Sequence, residues 1–188
     1  MCIMDTEVDG QMETRQYEID EQRTAELNQP ELLVLAGRGD SDHFCCIFVP
    51  SKIHSGCPHC GNPFFRNQGN MHRDFLDVIP CGDDATLITV SVEFRKSKCT
   101  AADCGRIYYP SCTFASPYAR TTRRLDDAIV RMALRGGFSY AETAAQLNGL
   151  LSRQAVYRIY HRRIKELGAD TSDQTLWFRE ILKGDTAY

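Results

Sequence analysis

Residues 86–104 read TLITVSVEFRKSKCTAADC, and the rest of the fold is read outward from them. The first half, Thr86–Phe94, is rich in β-branched residues and partly alternating, which predicts a strand. The second half ends in Cys99 and Cys104, a C-x4-C pair. Upstream, Cys57-Pro58-His59-Cys60-Gly61 supplies a C-x2-C pair, and thirty-eight residues separate the two. Two short-spaced pairs divided by a hairpin are the ribbon type of structural zinc site. Each pair sits on a tight turn, so two sulfurs approach one tetrahedral ion at about 2.3 Å. Gly61 lets the backbone turn beneath the metal. The expectation is a structural Zn2+ on Cys57, Cys60, Cys99 and Cys104. Such an ion contributes on the order of 10 kcal/mol to a module too small to fold well alone.

Cys-Pro-His-Cys is also a tetrapeptide of thiol–disulfide oxidoreductases, where the first cysteine opens a helix that lowers its pKa. Here Gly61-Asn62-Pro63 opposes a helix, and no βαβ pattern surrounds the pair. The remaining cysteines, Cys2, Cys45, Cys46, Cys81 and Cys112, belong to no short-spaced metal pair. Cys45 and Cys46 fall in an apolar strand, so one of them reads as core. His59 lies inside the knuckle and is expected to face solvent.

Around this centre the chain reads as short strands. Glu31–Ala36 (ELLVLA) and Phe44–Val49 (FCCIFV) flank a Gly/Asp/Ser turn. Phe75–Ile79 is a weaker strand, turned into Thr86–Phe94 by Gly82-Asp83-Asp84, and Arg106–Tyr109 is a third. Residues 1–29 are acidic and poor in large apolar groups, which predicts a flexible tail with a short helix near Arg15–Leu27.

Beyond Thr121 the period becomes helical. Leu125, Ile129, Met132 and Ala133 share one face, and Gly136-Gly137 ends the helix. Ser139 with Glu142 is a capping box for a second helix to about Leu147. Asn148-Gly149 makes a turn, Ser152 caps a third helix to about Leu167, and Asp173–Leu182 reads as a last short one. The predicted architecture is α+β: a β-rich four-cysteine zinc ribbon (30–116) after the tail (1–29), then a three-helix helix-turn-helix bundle (117–188).

The net charge of −3 hides an asymmetry. Residues 1–44 hold eleven acids against three arginines, while residues 117–167 hold ten basic residues against four acids. A local surplus of positive charge attracts a polyanion. In a helix-turn-helix the last helix enters the major groove, and its first residues meet base edges. That gives Ser152, Arg153, Gln154 and Tyr157 to base reading. Arg158, Arg162, Arg163 and Lys165 go to phosphates, and Arg120, Arg123 and Arg124 to a basic linker along the duplex. Duplex DNA is the expected partner.

No stretch approaches the roughly 20 apolar residues that span a bilayer, and the N-terminus lacks a signal-peptide pattern, so a cytoplasmic place is expected. No catalytic motif is visible: Asp74, Asp77, Asp83 and Asp84 form no spaced set, and there is no Gly-rich phosphate loop or nucleophile elbow. No enzyme is expected.

The order of CPHCG, FRKSKCTAADC, Tyr-Pro, SPYARTTRRLDDAIV and a helix-turn-helix resembles the N-terminal region of bacterial insertion-sequence (ISL-type) DDE transposases. The resemblance covers about residues 57–165. It implies zinc on the four cysteines and terminal-repeat DNA as target. That family's RNase H-like domain, with its three catalytic carboxylates, has no counterpart in these 188 residues, so strand transfer by this chain alone is not expected. A competing reading is a protein–protein adaptor on a structural zinc ribbon. There the helices are scaffold, and residues 1–56 meet a second copy or another protein.

Overall fold

A computed structural model describes residues 17–51, 56–81, 84–135 and 137–168. It divides into two compact units, residues 1–122 and 123–188. The chain is α+β, with a mixed sheet in the first unit and helices in both.

The first unit is organised by a long hairpin, β3 (Phe65–Cys81) and β4 (Asp84–Cys99). It is paired from Phe65↔Cys99 to Cys81↔Asp84. One edge of β4 meets β3. Its other edge meets β2 (His43–Phe48), in parallel, over Thr89–Glu93, and β5 (Ile107–Tyr108) over Ser97–Lys98. β1 (Leu32–Gly39) pairs antiparallel with β2, giving the order β1-β2-β4-β3. Parallel pairing requires a long crossover. Here the connection from β2 to β4 includes the first cysteine pair and the whole of β3.

β4 therefore carries both ends of the unit. Its Ile88, Val90, Val92 and Phe94 join Phe44, Cys46, Phe48, Phe75 and Phe114 in one buried cluster. Each large apolar side chain buried there stabilises by about 1.5–3 kcal/mol. The predicted strand Phe75–Ile79 is the middle of a 17-residue strand. Its first half, FRNQGNMHRD, is too polar to be read as strand from periodicity, yet β4 supplies its hydrogen bonds. A bulge between Asn67 and Asn70 absorbs one extra residue.

The expected tail of residues 1–29 is corrected in its second part. Residues 1–16 lie outside the described residues. Ile19 bridges to Leu35 of β1, and α1 (Glu21–Leu27) follows, capped by Asp20 and closed by Asn28 in the left-handed region. Leu27 is fully buried, and Arg23 lies 4.1 Å over the Phe44 ring. Composition alone favoured a tail because the apolar surface that fixes α1 belongs to β1 and β2.

The boundary near residue 117 also moves. Ala119, Thr121 and Thr122 are buried in the first unit. The Leu76 N–H donates to Arg120 O at 2.9 Å, and the Thr122 N–H to Leu76 O at 3.0 Å. The segment read as a basic linker is thus bridged to the edge of β3 at Leu76, and the division falls after Thr122.

The second unit contains α2 (Arg123–Arg135), α3 (Tyr140–Gln146) and α4 (Arg153–Glu166). Ser139 and Glu142 form the capping box, and Ser152 caps α4. Asn148 (φ 53) and Gly149 (φ 70) take the left-handed turn between them. Leu125, Ile129, Val130, Ala144, Leu147, Val156, Ile159 and Ile164 form its core. The helix expected at Asp173–Leu182 lies outside the described residues.

Candidate metal centre and basic helix face

The four cysteines converge. Cys57 and Cys60 stand on the turn before β3, Cys99 ends β4, and Cys104 stands on the next turn. Their four sulfurs lie within 4.8 Å of one another, with Cys57–Cys104 at 3.8 Å and Cys60–Cys99 at 3.6 Å. Four sulfurs held at about 2.3 Å by one tetrahedral ion stand about 3.8 Å apart. These edges fit such an ion and are far too long for disulfides, in which sulfurs are about 2.05 Å apart.

The turns explain the convergence. The Gly61 N–H donates to Cys57 O at 2.8 Å, and the Cys57 N–H to Asn62 O at 2.8 Å. Gly61 takes φ +75, which glycine adopts without strain. On the second turn the N–H groups of Cys104 and Gly105 both donate to Ala101 O. Asn62 joins the turns: its amide donates to Cys99 Sγ at 3.4 Å and to Thr100 Oγ1 at 3.2 Å.

The thiols differ in acidity. The Asn62 amide is the main reason the Cys99 thiol is held down to about 7. The Asn62 backbone N–H also favours the Cys60 thiolate. Desolvation and the hydrogen bonds shared with Cys99, Cys104 and Cys57 outweigh it and push that thiol up to about 12. A cation that takes all four sulfurs as thiolates displaces the protons they carry.

The other candidates stay outside the cluster. His59 is exposed and bonded to the Arg106 guanidinium at 3.2 Å. Burial pushes the Cys46 thiol up to about 12, as expected of a core cysteine. Cys112 is half-buried, with its thiol 3.9 Å from Ala115 O. The Cys57–Cys60 pair opens a turn followed by β3, and Cys57 therefore begins no helix.

Ser91 Oγ donates to Asp74 at 2.6 Å and stands 2.7 Å from His43 Nε2.

In the second unit, Arg153, Gln154, Tyr157, Arg158, His161 and Lys165 are exposed on α4. At about 100° per residue they fall within an arc of roughly 140°. The sole carboxylate of α4, Glu166, falls outside that arc. Ser152 caps the helix through its hydroxyl, which accepts from the Ala155 N–H at 3.2 Å.

Arg162 and Arg163, expected on phosphates, are engaged within the unit. Arg162 Nη2 lies 2.6 Å from Asp126, whose carboxylate is fully buried. Arg163 grips both oxygens of Asp127, at 2.6 and 3.1 Å, and its side chain is 12% exposed. Asp127 and Glu166 raise its pKa against the desolvation that opposes it. Arg123 pairs with Glu166 at 2.9 Å. Arg124 is half-exposed on α2, and Arg120 is exposed in the first unit. Sequence reasoning missed these pairs, although Asp126-Asp127 and Arg162-Arg163, two adjacent acids and two adjacent arginines, were the available signal.

No described helix is long and apolar enough to cross a membrane. No protein-family model, curated protein or solved structure matches the chain.

Proposed function

We propose that the chain is a zinc-dependent DNA-binding protein that reads duplex DNA through α4. The carrying observation is the acid-free arc of Arg153, Gln154, Tyr157, Arg158, His161 and Lys165. α3, the Asn148-Gly149 turn and α4 are read as a helix-turn-helix, with α4 as the helix that enters the major groove. Arg153 and Gln154, in the first turn of α4, have the chemistry to bond guanine and adenine edges. Arg158 and Lys165 serve phosphates. Arg162 and Arg163 serve instead as the scaffold that holds α4 to α2.

The first unit is read as a ribbon-type module in which Cys57, Cys60, Cys99 and Cys104 hold zinc. Thiolate ligands select zinc among the common divalent ions, and four of them leave no open position for catalysis. The ion's role is to lock the two turns together. The chain fits a transposase-derived or regulatory binder. The adaptor reading predicts partner capture without DNA.

The test is selection of the zinc-loaded chain against a random duplex pool at two salt concentrations. Enrichment of a sequence, with affinity falling at a log–log slope of about −0.9 per phosphate contact, is the expected result. Absence of binding at low salt would sink the proposal.

A further inference from the structure

The sheet face of β4 changes character along its length. Val92 and Phe94 point into the core. Two and four residues on, the same alternation places Lys96 and Lys98 on that face, beyond the core cluster. Register adds neighbours: Arg66 of β3 and Ile107 of β5 both pair with Lys98. Directly paired residues share a face.

Large apolar side chains stand at the margins. Phe64, just before β3, is 70% exposed, and Tyr109, just after β5, is 50% exposed. Ile107 is exposed beside them. Phe64 is no loose side chain on a free loop. Its carbonyl accepts from the Thr100 N–H at 3.2 Å, the Thr100 hydroxyl at 3.1 Å and the Asn62 amide at 3.1 Å. The residues that pin Phe64 are thus those that order the cysteine turns. The Lys98 stem runs beside Gly105.

Among the described residues no carboxylate pairs with Arg66, Lys96 or Lys98. Three cations without an acid match a polyanion. The aromatics narrow the choice. Bases in a duplex stack on one another, whereas unpaired bases stack on exposed rings. An acidic peptide would satisfy the cations but gives Phe64 and Tyr109 nothing flat to cover.

We propose that this face, formed by Phe64, Arg66, Lys96, Lys98, Ile107 and Tyr109, is a binding site for single-stranded DNA. The choice of DNA rests on the duplex-DNA reading of α4. The cations track the backbone, and Phe64 and Tyr109 stack bases.

The test uses the full zinc-loaded chain, single-stranded DNA carrying 2-aminopurine, the matching duplex, the matching RNA strand and polyglutamate as competitor. Phe64→Ala and Tyr109→Ala each lower single-strand affinity on the order of tenfold and abolish 2-aminopurine quenching. They leave duplex affinity and zinc content unchanged. Phe64→Trp retains the quenching. The double variant Arg66→Gln/Lys98→Gln reduces the salt slope by about 1.4. Arg153→Ala does the reverse of the aromatic changes, lowering duplex affinity alone. Loss of duplex binding in the unaltered chain overturns the α4 reading, while intact quenching in that chain still supports this face. Full single-strand affinity in both aromatic variants overturns the proposal. Preference for RNA, or equal competition by polyglutamate, overturns it as well.

Discussion

In the first unit the buried Glu31 accepts from the Ser51 hydroxyl at 2.7 Å and the Thr113 N–H at 2.6 Å. In the second unit the buried Asp126 accepts from the Arg162 guanidinium at 2.6 Å. Both carboxylates are 1% exposed or less. The difference follows from what each unit has at hand. A sheet with ordered turns supplies hydroxyls and backbone amides on fixed frames. In the helical unit most backbone donors are used within the helices, and an arginine side chain from α4 reaches the buried carboxylate of α2. The count of basic residues in the second unit therefore overstates the charge it can offer a polyanion. Arg123, Arg162 and Arg163 are engaged with Asp126, Asp127 and Glu166. What remains exposed on α4 is a narrower basic face than the composition suggests.

The largest expected effect is on the metal. Removing zinc, or changing Cys57→Ser or Cys99→Ser, takes away on the order of 10 kcal/mol of apparent binding energy. Amide exchange then rises in residues 56–70 and 95–109, while the helices of the second unit keep their protection. Unchanged zinc content in both variants would falsify the ligand assignment.

Next is the Asp126–Arg162 pair. Arg162→Ala leaves a buried carboxylate without its guanidinium and destabilises the second unit by about 3 kcal/mol. The double change Asp126→Leu/Arg162→Met recovers most of that loss. Thermal unfolding of both variants checks it, and equal destabilisation by the two would remove the pair's special standing.

DNA binding then separates the arginines. Arg153→Ala lowers discrimination between the selected site and a mismatched one by about 1–3 kcal/mol, with stability unchanged. Arg163→Ala acts chiefly on stability. Parallel titrations and melts distinguish them. If Arg163→Ala weakens DNA binding without loss of stability, the scaffold role assigned to it fails.

The smallest effect is on acid stability. Burial alone would raise the Glu31 pKa, but its hydrogen bonds from Ser51 and Thr113 outweigh burial and lower it. A carboxyl with a lowered folded-state pKa contributes fully above its unfolded pKa, about 4.3, and loses that contribution as pH falls through the folded value. Glu31→Gln therefore costs about 1.5 kcal/mol near neutral pH. The gap to the unaltered chain closes as pH drops below about 4. A gap that persists at acid pH would mean packing, not charge, is what Glu31 supplies.

Much of the site was legible in the chain. C-x2-C and C-x4-C at either end of a hairpin named four residues that do converge: within each pair a tight turn brings neighbours together, and the pairing of β3 with β4 then brings the two turns together. Caps at Ser139 and Ser152 were legible for the same reason, since the hydroxyl and the amide it accepts from are three residues apart. The parallel pairing of β2 with β4 was not, for its partners are more than forty residues apart and neither strand's pattern names the other. Nor was the polar half of β3, which is a strand only because β4 lies beside it.

By itself, then, the sequence determined the cysteine set, the helix caps and the places where periodicity changes, all matters of local spacing. Tertiary structure decided the rest. It built residues 17–29 into the first unit, bridged residues 119–122 to the edge of the sheet and tied Arg162 and Arg163 to Asp126 and Asp127. The physical reason is common to all three. A side chain's free energy depends on what stands opposite it, and those partners lie 36 residues away for the ion pairs and 45 for Thr121 and Leu76.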